Sequence, residues 1–113
     1  YLCLIMLETY LKSIDVAITI CDINLNIVYM NEKSKATFTN ANIGDSLIDC
    51  HKESSILLMK KLIAEGKSNS YSIEKNGVKK IIHQTPWIKN DKISGLIEFS
   101  IVVPLEMPHF KRD

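Results

Sequence analysis

The last third of the chain decides the fold, and its residues 70–103 read SYSIEKNGVKKIIHQTPWIKNDKISGLIEFSIVV. Polar and apolar residues alternate over 70–74, which is the pattern of a half-buried strand. Asn76-Gly77 is a strong two-residue hairpin signal, and a second turn is predicted at 90–92. We therefore expect three consecutive antiparallel strands in this region. Pro86 places the middle strand at an edge, a bulge or a bend there.

Helices and two more strands are predicted upstream. Residues 16–21 and 27–30 are rich in β-branched side chains and flank turn-forming residues, so they predict a hairpin. A helix over 53–65 has Gly66 in position for a left-handed cap, with Asp49, Ser54 and Ser55 as alternative N-caps. Short helical segments lie between residues 31 and 48. The predicted class is α+β, with a five-stranded antiparallel sheet and helices on one face.

The first fourteen residues predict an amphipathic helix. Leu4, Leu7, Leu11 and Ile14 are three or four residues apart and form one apolar face. Such a face has to be covered, either by the chain's own domain or by a second copy.

Composition limits the function classes. The chain has 113 residues, 46% of them hydrophobic, and a net charge of +1. This is the size of one domain, and the charge gives no basic field for nucleic acid. The sequence contains no apolar run of about twenty residues that would predict a membrane span. Three cysteines without CxxC spacing fit a reducing cytoplasm, so we expect a cytoplasmic protein.

Three motifs resemble the PAS domain family of sensory modules. Residues 21–31 (CDINLNIVYMN) resemble the family's first hairpin and the Asn that opens the next helix. Residues 43–47 (IGDSL) resemble its h-G-x-x-h motif, where h is apolar, and residues 75–77 (KNG) its later turn. The first turn differs, because Asn24-Leu25-Asn26 stands where most members have Gly. Asn also tolerates a left-handed backbone.

The resemblance implies a domain organisation and a role. Residues 1–14 would be a flanking helix, 15–104 the PAS domain and 105–113 a tail. The implied protein is a small bacterial signalling module, possessing no catalytic residues, that binds a small molecule or forms a homodimer through Leu4, Leu7 and Leu11. It would regulate a partner protein or a fused output domain, as in transcription regulation, and would need neither membrane nor nucleic acid.

Cys50-His51 is the most specific candidate for a metal or haem site in the sequence. Adjacent sulfur and imidazole groups before a helix could hold a transition metal or haem iron, and haem-binding PAS relatives take an axial His from this helical region. His51 departs from that pattern, because the axial His of those relatives usually lies within the helix, where this sequence has Ser55, Leu57 and Leu58. The alternative is that Cys50 is a small buried hydrophobe and His51 a helix-start residue bonded to backbone. Catalysis by the pair is not expected, since side chains of neighbouring residues generally diverge.

Three residues of the last strands complete the set of ligand-pocket candidates. His83 is predicted on the same side of its strand as Trp87, which either walls a cavity, covers the sheet or makes a dimer contact. Glu98 stands in an apolar strand, where it is solvent-facing, paired, or a buried ligand contact with a raised pKa.

Two further interpretations are weighed. Asp22, Asn24 and Asn26 begin a calcium-loop pattern, but its Gly and its final Glu are missing, so a hairpin turn is favoured. The other alternative is a ligand-free protein-interaction module, in which the pocket is filled by Met30, Phe38, Met59 and Leu62.

Overall fold

The computed structural model describes residues 2–113, with side chains from residue 6 onward. The elements in chain order are α1 (Leu2–Lys12), β1 (Ala17–Asp22), β2 (Ile27–Met30), α2 (Glu32–Thr37), a short 3₁₀ helix (Leu47–Asp49), α3 (Glu53–Glu65), β3 (Asn69–Lys75), β4 (Val78–Lys89) and β5 (Lys92–Val103). The five strands form one antiparallel sheet in the order β2-β1-β5-β4-β3. The predicted α+β class and five-stranded antiparallel sheet are confirmed.

Both turns of the last three strands have the backbone that their residues predict. Asn76 and Gly77 have φ values of 52° and 77°, and Asn90 and Asp91 have φ values of 51° and 62°. Two consecutive left-handed residues are what a two-residue turn needs to match the twist of its strands. These turns set the register in which β4 pairs with β3 and β5.

The turn between β1 and β2 differs from expectation. Its left-handed residue is Leu25, with φ 65°, and neither neighbouring Asn takes that role. Leu25 is 1% exposed, so burial in the core opposes the strain. Asp22 stabilises the turn by accepting hydrogen bonds from the backbone N–H of Asn24 (3.0 Å) and Asn26 (2.9 Å). The acidic and amide residues of the calcium-like pattern therefore build a hairpin turn.

Helix α3 covers one face of the sheet. It ends at Gly66 in the left-handed conformation, as predicted, but it begins after Lys52 without a side-chain cap. The three N-caps expected from the sequence are therefore wrong. The helix buries Met59 and Leu62. These two side chains form the central apolar cluster with Cys21, Leu25 and Leu96.

Pro86 lies where β4 loses one neighbour. The pairing of β3 with β4 ends at Gln84, and the register of β4 with β5 shifts just after Trp87. Pro86 thus stands beside a bulge on a part of β4 that has lost its β3 neighbour, which is a position where sheets tolerate proline.

Asn31 joins three elements. Its Oδ1 accepts hydrogen bonds from the N–H of Ile18 (2.9 Å) and Ser34 (3.0 Å), and its Nδ2 donates to the carbonyls of Leu11 (2.9 Å) and Val16 (2.8 Å). It is 2% exposed. One side chain therefore ties the end of α1 to β1 and caps α2.

Within residues 2–113, none of the helices combines the length and the apolar character needed to cross a membrane.

Candidate functional site

A cavity of about 460 Å³ lies between the sheet and the helical side of the domain. Strands β1, β2 and β5, the segment 37–51 and α3 all contribute to its wall. The floor is apolar and the rim is exposed and more polar. The floor comprises Cys21, Ile27, Met30, Leu47, Met59 and Leu96, and the rim comprises Phe38, Thr39, Asn40, Cys50 and His51. The volume lies within the usual range for small-molecule sites, about 300–1,000 Å³.

A row of polar side chains crosses the side of the sheet that faces the cavity, and its members on β1 and β5 line the cavity. Thr19, Glu98, Gln84 and Asn69 stand side by side on β1, β5, β4 and β3. Gln84 donates from Nε2 to Oε1 of Glu98 at 3.1 Å, and its own Oε1 accepts from Nδ2 of Asn69 at 3.3 Å. Because the Asn69 contact occupies the Gln84 oxygen, the Gln84 NH₂ group is oriented toward the carboxylate. The row therefore presents an oriented carboxylate to the cavity.

Glu98 carries a perturbed carboxyl group. Burial raises its pKa above the ordinary value of 4.5, while the Gln84 hydrogen bond and the proximity of His51 act in the opposite direction. Burial also raises the pKa of Tyr71, with a smaller contribution from the charge of Glu98. Glu98 lines the cavity and is the only side chain with a formal charge among the described lining residues, counting histidine as neutral. The electrostatics of the cavity thus centre on this carboxylate.

Cys50 and His51 lie together at the rim. Sγ of Cys50 is 3.3 Å from Nδ1 of His51, and that nitrogen is 3.0 Å from the carbonyl oxygen of Leu47. The expectation that these two neighbouring side chains diverge is wrong, because they are in contact. The expectation of a buried Cys50 is also wrong, because Cys50 is exposed. The predicted backbone bond of His51 is confirmed. In the neutral ring, Nδ1–H donates to Leu47 and Nε2 keeps its lone pair.

A metal ion held by several protein ligands does not fit these side chains. No group of three His, Cys, Asp or Glu residues converges closely enough in the described part of the chain. Cys21 lines the floor of the cavity, but burial raises the pKa of its thiol, which disfavours the thiolate that metals require. Haem needs fewer protein ligands, so that alternative depends on His51 and Cys50 alone.

Comparison with solved structures identifies the architecture. The PAS domain of histidine kinase ThkA superposes with a TM-score of 0.66 at 15% identity, over 78% of this chain and 99% of that chain. The chain has the PAS fold. A sensory box sensor histidine kinase from Vibrio cholerae gives a TM-score of 0.62 at 16% identity, covering 91% of this chain and 94% of that chain. No protein-family model and no curated protein sequence matches.

A third neighbour matches this chain over part of a longer protein. VqmA of Vibrio cholerae, described as a LuxR-type receptor with a target DNA, gives a TM-score of 0.69 at 20% identity. The match covers 93% of this chain and 55% of VqmA. At these identities the likeness shows the fold of this chain.

His83 and Trp87 are not part of the cavity, contrary to the sequence-based expectation. They lie on the opposite face of the sheet, which we call the outer face, because they pair across from Phe99 and Gly95. The Nδ1 of His83 is 2.5 Å from Oγ of Ser70. The predicted alternation along β4 is confirmed, but it does not show which face of the sheet the helices cover.

Trp87 covers the sheet at Gly95. Its Nε1 donates a hydrogen bond of 2.9 Å to the backbone carbonyl of Cys21. A Cβ placed on Gly95 would lie 1.9 Å from that carbonyl oxygen and 2.5 Å from the Trp87 nitrogen. Its position supports the predicted role of covering the sheet and excludes Trp87 from the cavity wall, and the dimer contact stays a prediction.

The dimer candidates lie on α1 and are partly described. Leu7 is 58% exposed and Leu11 is half-buried, whereas the side chain of Leu4 lies outside the described residues. Met6 and Tyr10 are also exposed on this helix. The end of α1 is held by Asn31, but most of its described apolar surface faces outward.

The side chains expected to fill the pocket behave differently from one another. Met30, Phe38 and Met59 line the cavity, and Leu62 lies in the central apolar cluster. Met30, Phe38 and Met59 therefore do not fill the pocket, and a cavity of about 460 Å³ remains beside them.

Several cavity residues escaped sequence analysis. Leu96 and Thr19 could have been found, since Leu96 shares the strand face of Glu98 and Thr19 interrupts an apolar strand. Residues 39–41 gave no signal, because their contribution depends on how the loop after α2 folds back. Cys50, His51 and Glu98 are the predicted candidates that the structure brings to one cavity.

Proposed function

We propose that this chain is a sensory or signalling module that binds a small molecule in the cavity between the sheet and the helices of its PAS fold. A bound ligand would contact α2, the 38–41 loop and α3. Of these elements, α2 is capped by Asn31, whose side chain also donates to the carbonyl of Leu11 in α1. Occupancy of the cavity would thereby reach the flanking helix and a partner attached to it.

The observation that carries this proposal is the cavity itself. It combines an apolar floor with a few oriented polar groups, which is the usual composition of a small-molecule site. A fold whose only role was protein interaction would gain stability by filling this space, since each missing contact weakens packing.

Native mass spectrometry of the protein purified from its source tests the proposal. We expect a retained small molecule that is lost in Ala41→Trp, because Ala41 lines the cavity and a larger side chain there would occupy it. Ala64→Trp, at an exposed position of α3, is the matched control and should retain the molecule. Absence of any retained molecule would favour a ligand-free interaction module instead.

Homodimerisation is the second part of the proposed function. The exposed side chains of Met6, Leu7 and Tyr10 on α1 form an apolar surface that a second copy could cover. The outer face adds half-buried Ile97, Phe99 and Ile101 on β5. Such a dimer would place two cavities on either side of a shared helix pair.

The haem alternative is decided by a titration. A saturable Soret band that disappears in His51→Ala would replace the small-molecule proposal with a haem sensor using His51, and Cys50→Ala would report on the neighbouring thiol. We do not propose catalysis by Cys50 and His51, since the sequence has no motif typical of an oxyanion hole to accompany them.

A further inference from the structure

The charge distribution around the cavity identifies a class of ligand. Glu98 is the only formally charged side chain among the described lining residues, and neither Lys nor Arg accompanies it. His51 is the one basic side chain at the rim, and its Nδ1 is bonded to Leu47. The cavity therefore has an anionic group with no Lys or Arg among its described lining residues, and His51 is the one basic side chain of that lining that acts on it.

One oxygen of the Glu98 carboxylate remains available. Oε1 accepts the hydrogen bond from Gln84, and no other hydrogen bond to Glu98 exists within the described part of the chain. The second carboxylate oxygen of Glu98 has no hydrogen-bond partner. Among the described residues no side-chain oxygen or nitrogen without a partner is buried, so this oxygen is accessible, and Glu98 lines the cavity. A carboxylate with one free acceptor position binds an N–H donor best when that donor is charged.

The remaining lining selects the body of the ligand. Ile27, Met30, Met59 and Leu96 give an apolar floor, with Phe38 at the rim. Thioether and aromatic groups make favourable contacts with flat rings and with organic cations. An anionic ligand would meet the carboxylate without a compensating cation and is disfavoured.

We propose that the ligand is a compact organic cation, an amine or amidine on an apolar one- or two-ring body, whose N–H groups bind the open carboxylate oxygen of Glu98. This inference rests on the proposed small-molecule function and specifies its ligand. The Gln84 contact positions the carboxylate, so Gln84 is a positioning residue and Glu98 the specificity residue. Burial raises the pKa of Glu98, which means that the carboxylate lacks full compensation until a cation binds.

Isothermal titration calorimetry with three matched probe classes tests the inference. The probes are benzamidine and 2-naphthamidine, the corresponding neutral amides, and the corresponding carboxylates. The proteins are the wild-type chain, Glu98→Gln and Glu74→Gln. Glu74 is exposed on β3, so its variant removes the same charge away from the cavity. Circular dichroism establishes that each variant is folded.

The expected result is binding of an amidine to the wild-type chain and to Glu74→Gln, with affinity at least about tenfold weaker in Glu98→Gln. The amides should bind less tightly than the amidines, and the carboxylates should bind least. Equal binding of amidine and amide, tighter binding of a carboxylate, or an unchanged affinity in Glu98→Gln would overturn the cation proposal while leaving a cavity ligand in place. Binding by none of the probes would also overturn it, and the native mass spectrum then decides separately whether the cavity holds a molecule at all.

Discussion

Gln84 donates a hydrogen bond of 3.1 Å from its Nε2 to Oε1 of Glu98, directly across the β4–β5 pair. Asn69 accompanies this contact on β3 and orients the Gln84 amide. A carboxylate is thereby held at the floor of an otherwise uncharged cavity. The relationship explains how a single acidic residue in an apolar strand is tolerated and why it faces the candidate site.

Replacing Glu98 by Gln should change how stability depends on pH. The raised pKa means that the folded chain binds a proton at Glu98 more tightly than the unfolded chain does. The stabilising contribution is complete below the ordinary value of 4.5 and is lost as pH rises through the folded-state pKa. The unfolding free energy of the wild-type chain, relative to that of Glu98→Gln, should therefore fall as the pH rises from 4.5 through the folded-state pKa of Glu98.

Chemical denaturation at several pH values measures this difference, with Glu74→Gln as the control. His51, Tyr71 and Cys21 interact electrostatically with Glu98, so the series is repeated in His51→Gln. Tyr71 and Cys21 titrate above the window, since their pKa values are raised from 10.0 and 9.0. A relative stability that rises with pH would contradict the assigned direction.

Asn31→Ala should destabilise the fold by about 2–4 kcal/mol, because the variant leaves the Ile18 N–H without its acceptor and removes the cap of α2. Urea denaturation measures the change, and hydrogen exchange in α1 should increase because the Leu11 carbonyl loses its donor. Asn42→Ala, at an exposed loop position, is the control. A loss no larger than in the control would remove Asn31 from its role as a junction.

Gly95→Ala should destabilise the sheet by about 1–3 kcal/mol, since the added Cβ would meet the Cys21 carbonyl oxygen. Trp87 is the chain's only tryptophan, so its fluorescence reports directly on the neighbouring contact. Ser72→Ala on the exposed strand β3 should stay within about 0.5 kcal/mol of the wild type. An unchanged emission spectrum and stability in Gly95→Ala would mean that Trp87 packs elsewhere.

Leu7→Asp should weaken self-association at least about tenfold, because it places a charge in the proposed helix pair. Sedimentation velocity of the wild-type chain should give a dimer that the variant dissociates. Leu57→Asp is the matched control, since Leu57 is exposed on α3 and belongs neither to α1 nor to the outer face. A monomeric wild-type chain, or equal dissociation of both variants, would contradict the dimer proposal.

Local patterns predicted much of the fold. The two turns at Asn76-Gly77 and Asn90-Asp91, the strand alternation and the Gly66 cap each depend on neighbours in sequence, and each is present in the structure. The Leu25 turn was not predictable locally, because burial of that side chain in the core compensates its unfavourable backbone.

The candidate site was predictable only in part. The position of Glu98 in an apolar strand signalled a special environment, and Cys50-His51 signalled a site near the start of α3. Trp87 and His83 were misplaced, because periodicity sorts residues into two faces without showing which face is covered. The rim loop depends on tertiary folding after α2, which no short motif encodes.

The methionine methyl groups offer the most direct test of the central claim, that a small molecule binds in the cavity. Met30 and Met59 line it, whereas Met6 and Met107 are exposed elsewhere. Methyl ¹³C spectra are recorded on protein stripped of bound molecules by denaturation and refolding, before and after the released low-molecular-weight fraction is added back. We predict shifts of the Met30 and Met59 resonances with Met107 unchanged; unchanged Met30 and Met59 resonances would contradict the claim.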